Sequence, residues 1–263
     1  MRALVLLCLA TAALTAASPA HAAEPVVVED EAGDSGEAPD IVHVEATRGR
    51  GAVVFAIRFA GSPTLARDVQ LVTILLDADR DETTGPEGTE LAIRADAGGA
   101  RLEAWQDALW QEVPGTPVYA LYVADVLTFT VGRAALRGSR AFDFVVAASE
   151  GDLDLEGTVD YAPDGDPASF ALPGIARVIA DVGAARAGRR VTAAVAVLLS
   201  DGSREPPTTL VCTARMRGRV LARSGRCAWR LPASASGATL VVTVAATWEG
   251  AAARPVTRRV RVR

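Results

Sequence analysis

Arg101-Leu102-Glu103-Ala104-Trp105-Gln106-Asp107-Ala108-Leu109-Trp110-Gln111-Glu112-Val113 reads as a β-hairpin. Two short strands flank a turn near Gln106 to Ala108, with a tryptophan near each side of it. Around this hairpin, residues 53–59, 69–76, 90–94, 118–123, 127–131 and 142–147 are apolar or alternating runs rich in Val, Ile, Leu and aromatics. Gly, Pro, Asp and Ser clusters separate them, as they separate strands. Only residues 133–137 suggest a helical turn. Short strands at regular spacing, without long amphipathic helices, predict an all-β chain of antiparallel sandwich type.

The later part of the chain repeats this texture. Residues 190–199, 209–214, 227–231, 239–247 and 256–262 read as strands, with turn points at Asp201-Gly202 and Gly218 and a bend or edge at Pro206-Pro207. Charge divides the two parts. Residues 23–172 hold 28 Asp/Glu against 10 Arg, a net of −18, whereas residues 173–263 hold 4 against 16, a net of +12. Two domains with opposite fields are the natural inference, 23–172 and 173–263. Turn and breaker residues concentrate between Pro163 and Gly174.

Residues 1–22 have the pattern of an export signal: Met1-Arg2 is a positive start, residues 3–17 are a short apolar run, and Ala20-His21-Ala22 is a small-x-small cleavage site. The mature chain is expected to start at Ala23, without Cys8 and without any later membrane-spanning stretch, in the extracellular space or cell envelope. Its two cysteines, Cys212 and Cys227, are expected to pair, closing a loop that stabilises by about 3 kcal/mol. Two buried free thiols are the alternative. Metal binding by the pair is disfavoured, because no further Cys or His lies nearby.

Composition removes much chemistry. The chain has no lysine, which excludes Schiff-base lysines, Walker-type phosphate lysines and Ser-Lys dyads. After export only His43 remains, in the alternating run 41–46, where parity places it with Ile41 on one strand face and Val42 with Val44 on the other. No Gly-x-Ser-x-Gly elbow or His-Glu-x-x-His helix accompanies it. No enzyme is expected. A hydrolase working through carboxylates alone is the distant alternative.

The strongest site candidate is the apolar strand that ends in Asp77-Ala78-Asp79-Arg80-Asp81-Glu82-Thr83-Thr84-Gly85-Pro86-Glu87-Gly88. Carboxylates at alternate positions of a turning loop can converge on a hard cation such as Ca²⁺, which takes six to eight oxygens. Asp77, Asp79 and Asp81 have that spacing. The loop is no EF-hand, because Glu82 and Gly88 occupy the positions that want Gly and Glu. Asp34 and Asp40 complete the shell if their segment folds against this end of the sheet. The competing reading is a solvated acidic turn in which Asp81 or Thr84 satisfies backbone donors and Arg80 offsets charge. Trp105 and Trp110 offer flat faces that suit a sugar ring, or else pack across the hairpin.

The segment Val28-Glu29-Asp30-Glu31-Ala32-Gly33-Asp34-Ser35-Gly36-Glu37-Ala38-Pro39-Asp40-Ile41, the Asp77-x-Asp79-x-Asp81-x-x-Thr84-Gly85 loop, the tryptophan hairpin, Phe129-Thr130-Val131 and Ala162-Pro163-Asp164 follow one another in a telling order. That order resembles the DOMON-like and family-9 carbohydrate-binding-module-like sandwiches of exported bacterial proteins, over residues 26–172. The resemblance implies a jelly-roll-type sandwich with calcium and sugar binding. It also makes residues 32–40 the domain's lead-in, where acidity alone suggests a disordered linker.

Val211-Cys212-Thr213-Ala214-Arg215 and Arg226-Cys227-Ala228-Trp229-Arg230-Leu231-Pro232 are similar to small immunoglobulin-like modules at the C-termini of exported actinobacterial proteins. The cysteine spacing is shorter than an antibody-type pair, so a bridge between neighbouring strands is expected, with Trp229 near it. Arg215, Arg217, Arg219, Arg223 and Arg226 form a basic cluster, and Arg258, Arg259, Arg261 and Arg263 a basic tail. Arginine forks suit an anionic cell-wall polymer. Surface solubility or docking onto the acidic domain are the alternatives, and nucleic acid is not an expected partner. The whole reads as an exported, non-enzymatic binding protein for calcium and glycan. A structural or adhesive envelope protein without a small ligand is the second reading.

Overall fold

The computed structural model describes residues 25–49, 51–61, 70–96, 98–150 and 159–263. The expected export signal lies outside them. The first part of the chain runs through β1 (Val26–Glu29), β2 (Ile41–Gly49), β3 (Ala52–Phe59), β4 (Gln70–Asp77), β5 (Leu91–Asp96) and β6 (Gly99–Gln106). It continues through β7 (Leu109–Glu112), β8 (Val118–Val123), β9 (Val126–Gly132), β10 (Ala141–Glu150), β11 (Val159–Ala162) and β12 (Ala168–Ala171). These strands make a five-stranded sheet, β1-β2-β3-β9-β8, and a seven-stranded one, β11-β10-β4-β5-β6-β7, with β12 added at β10. All their pairings are antiparallel.

Alternation determines which side chains are inside. In β3, Val53, Phe55, Ile57 and Phe59 are buried, and in β4 Val72, Ile74 and Leu76 are. Phe55, Phe142, Phe144 and Phe170 join the two sheets, with neighbouring centroids 5.0–6.3 Å apart. The hairpin read from sequence closes through Asp107 and Ala108, both at positive φ. That is the conformation a two-residue turn of primed type requires. Residues 133–137 form hydrogen-bonded turns, not a helix.

The parity expected around His43 is broken at Ile41, while His43 and Val44 keep opposite faces. A bulge between Ile41 and His43 opposite β3 shifts the alternation by one residue. Ile41, Val44 and Ala46 therefore all face the core. His43 turns outward, its Nδ1 3.1 Å from Glu29 on β1.

The remaining strands are β13 (Ile175–Val182), β14 (Arg190–Leu199), β15 (Arg204–Glu205), β16 (Thr209–Met216), β17 (Arg219–Ser224), β18 (Ala228–Arg230), β19 (Thr239–Trp248), β20 (Ala251–Ala252) and β21 (Val256–Arg261). One sheet is β13-β14-β15 with β18 beside β14, and the other is β17-β16-β19-β20 with β21 beside β19. Cys212 and Cys227 are bonded, Cα to Cα 5.2 Å. Cys212 lies in β16, whereas the Cys227 carbonyl accepts from Ala193 of β14, so the bridge joins the two sheets. The expected link between neighbouring strands is thus corrected: the chain crosses the sandwich between β17 and β18. Trp229 is buried beside this crossing.

The two sandwiches touch through a reversed charge pattern. The acidic first part contributes arginines, and the basic second part contributes two of its four carboxylates. Arg133 pairs with Glu249 at 2.7 Å and Arg48 with Glu205 at 3.4 Å. Arg140 donates to the carbonyl oxygens of Trp248, Glu249 and Pro173 at 2.8–3.2 Å. The guanidinium groups of Arg48 and Arg140 both lie over the Trp248 ring. A cleft of about 370 Å³ opens beside this joint, lined by Arg48, Gly51, Pro206, Pro207 and Trp248 among others. Among the described residues, no helix is long and apolar enough to cross a membrane.

Candidate metal centre

The loop after β4 is built by its own side chains. Asp79 accepts from the Asp81 amide at 3.0 Å and from the Thr84 hydroxyl at 3.1 Å. Asp81 accepts from the Thr83 amide at 3.0 Å and hydroxyl at 2.6 Å. Gly85 closes the turn at φ 70°, where a Cβ would stand 1.9 Å from the Thr89 carbonyl oxygen. Only glycine fits there.

The hairpin then returns as β5 in a register that pairs Leu76 with Leu91. Glu90, one residue earlier, is brought to the level of Asp77, and its amide donates to the Leu76 carbonyl. Carboxylate oxygens of Asp77, Asp79 and Glu90 lie within 4.8 Å of one another. Glu90 is only 5 % exposed. Its Oε1 accepts from the Ala78 amide at 2.9 Å, while its Oε2 is buried with no hydrogen-bond partner. Burial, then the neighbouring charges of Asp79 and Asp77, push the Glu90 carboxyl up from its ordinary range. Asp77 is raised as well, chiefly by burial. A buried carboxylate oxygen without a donor is costly unless a proton or a cation meets it. The donor set is oxygen only, and therefore fits a hard divalent cation such as Ca²⁺ or Mg²⁺.

The structure thus brings together Asp77 and Asp79 of the expected ligands and adds Glu90. Asp81 turns away: its carboxylate is engaged by Thr83, which holds its pKa below the usual range. Asp34 and Asp40 belong to a second acidic group around Asp160. There Asp160 accepts from the Ile41 amide, Asp40 accepts from the Gly33 amide at 2.9 Å, and Asp30 and Asp164 lie close by. Asp160 pairs with Ala148 of β10, whereas Asp77 pairs with Asp143 of the same strand. Five residues of extended chain separate the two levels by about 17 Å. The lead-in segment of residues 32–40 is hydrogen-bonded into the first sandwich, but at the other end of β10.

Trp105 and Trp110 face each other across the hairpin, centroids 5.4 Å apart with planes at 65°. The rings meet edge to face, and the Arg94 guanidinium lies over Trp110. No slot for a sugar ring lies between them. Even so, the Trp105 amide donates to the Glu90 carbonyl. One row across the seven-stranded sheet therefore carries Asp143, Asp77, Glu90, Trp105 and Trp110 in succession. Beside Asp77 the sheet forms a cleft of about 300 Å³, with Leu75, Val145 and Pro167 as apolar lining and Asp143, Glu82 and Glu87 as carboxylates.

Glu90 is not singled out by the sequence as a member of the acidic cluster because it sits outside the Asp-x-Asp-x-Asp spacing. Its signal is positional, an acidic residue opening the strand that returns antiparallel to Asp77. No family model matches the chain, and no curated protein matches it either.

Proposed function

We propose that this chain is an exported, non-enzymatic binding protein whose first sandwich holds Ca²⁺ between Asp77, Asp79 and Glu90. The observation that carries this reading is the buried Oε2 of Glu90, which has no donor and lies in a cluster of three carboxylates. Export is supported by the Cys212–Cys227 bond, since such bonds persist in oxidising compartments. The neighbouring cleft supports a glycan as the second ligand, with its hydroxyls set against Asp143 and the cation and its apolar face on Leu75 and Val145.

Isothermal titration of the full chain with Ca²⁺, paired with melting in calcium and in chelator, tests the proposal. Saturable heat and a rise in melting temperature are expected, and Glu90→Gln removes both. Absence of heat together with an unchanged melting temperature at millimolar calcium refutes it. A second reading is a structural envelope protein with two sandwiches set end to end as a rigid spacer. The clamp of Arg48 and Arg140 on Trp248 favours it.

A further inference from the structure

The outer face of the sheet β17-β16-β19, extended by β21, is a cationic surface. Register places its side chains in rows. Arg259, Val241, Arg215 and Val220 lie across four strands, and beside them Thr257, Thr243, Thr213 and Arg223. Arg261 follows opposite Thr239. The alternate residues Cys212, Ala214, Leu240, Val242 and Val244 are buried, so these rows point outward. All four arginines are exposed, as are Val211 and Val220.

Among the described residues, no carboxylate pairs with this face. Among the described residues, none of the second sandwich's arginines forms a salt bridge; every arginine that does so belongs to the first. Glu205 and Glu249 are engaged at the joint, while Asp181 lies in β13 and Asp201 caps its own turn at Ser203. With strands about 4.8 Å apart and alternate residues about 7 Å apart, neighbouring arginines stand about 7 to 10 Å from one another. Like charges so gathered are relieved by an extended anion, which displaces condensed counterions.

The other side chains narrow the class of anion. Threonine hydroxyls both donate and accept, as sugar hydroxyls do, and the valines offer apolar contact to ring C–H groups. The face carries no aromatic side chain, so it lacks the stacking platform that single-stranded nucleic acid uses. It also lacks the aromatic or leucine anchors of a bilayer-binding surface. We propose that this face binds an acidic polysaccharide, a sugar chain bearing carboxylates or phosphodiesters at intervals. This site goes beyond the cation centre and does not depend on it.

The test immobilises the full chain in chelator and measures binding of polygalacturonate, poly(glycerol phosphate), neutral dextran, a single-stranded DNA oligomer and anionic phospholipid vesicles. Binding of one or both glycan-type polyanions is expected, and which of them binds identifies the anionic group. Raising salt from about 50 to about 300 mM weakens it at least tenfold. The double variant Arg215→Gln/Arg259→Gln loses at least tenfold in affinity. Arg189→Gln/Arg230→Gln, of equal charge change but off this face, loses less than threefold. Equal losses in the two variants overturn the assignment, as does dextran binding as well as the polyanions. Tighter binding to DNA or vesicles overturns the choice of polysaccharide. Because chelator is present throughout, failure here leaves the calcium reading untouched.

Discussion

Arg140 places its guanidinium carbon 5.3 Å from the ring centroid of Trp248 and donates a hydrogen bond to the carbonyl oxygen of the same residue. One side chain of the first sandwich therefore holds both the ring and the backbone of a residue in the second. Trp248 is 4 % exposed and also belongs to its own sandwich's core. Arg140→Gln is the cleaner probe, because it removes the cation–π contact and three charge-assisted hydrogen bonds without opening a core. We expect a loss of about 2 to 4 kcal/mol in joint stability. Urea unfolding followed by tryptophan fluorescence should change from one transition to two; a single transition at an unchanged midpoint counts against the clamp.

Gly85 makes a second, local prediction. A Cβ there would meet the Thr89 carbonyl oxygen at 1.9 Å, and the residue sits at φ 70°. Gly85→Ala must displace the start of the returning strand, and with it Glu90. The melting temperature should fall, by an amount matching about 1 to 3 kcal/mol, and calcium heat should disappear. Thr83→Ala, which only frees Asp81, should leave calcium binding within twofold. Calorimetry on the two variants separates a ligand set containing Glu90 from one containing Asp81.

Asp160 predicts a pH dependence. It is 3 % exposed, and burial, followed by the nearby Asp34, Asp40 and Asp164, pushes its pKa up to about 6; Asp30 rises to about 6 for the same kind of reason. Because the folded pKa exceeds the unfolded one, the folded state binds the proton more tightly between the two values. Stability from these groups is thus present below about pH 4 and is lost as pH rises to about 6. Asp160→Asn keeps an oxygen for the Ile41 amide and cannot ionise. It should stabilise the chain at pH 7, by on the order of 2 kcal/mol, and leave it unchanged at pH 4. Denaturation midpoints at the two pH values measure this; an equal effect at both would mean that the charge is not responsible.

The Cys212–Cys227 bond closes a loop with a sequence separation of 15. Replacing both cysteines by alanine should cost the second sandwich about 3 kcal/mol. The first sandwich should keep its midpoint, read from the fluorescence of Trp105 and Trp110. A parallel loss in both sandwiches would show that the joint couples their unfolding completely.

The strands were legible because alternation is a local signal. The runs at 118–123 and 190–199 coincide with β8 and β14, and the turn at Asp107-Ala108 lies within the residues expected to form it. Features that depend on register were not legible. The bulge before His43 leaves no trace in composition, yet it moves Ile41 to the core face of Val44 and Ala46. Glu90 joins the carboxylate cluster only because Leu76 pairs with Leu91. Asp34 and Asp40 were assigned to the wrong acidic group because carboxylate content does not say which end of β10 a segment packs against. The joint was hidden by averaging: net charges of −18 and +12 suggest that acidic residues meet basic ones, but the contact uses the minority charge of each side.

That inverted joint has a consequence for how copies of the molecule meet. Arg48, Arg133, Glu205 and Glu249 satisfy one another inside the chain, leaving the outer surfaces still more unequal than the sequence totals. In solution the molecule is a large electric dipole, and long-range forces orient neighbours head to tail. That orienting field is long-ranged in dilute buffer and is largely screened at physiological ionic strength, where the Debye length is about 8 Å.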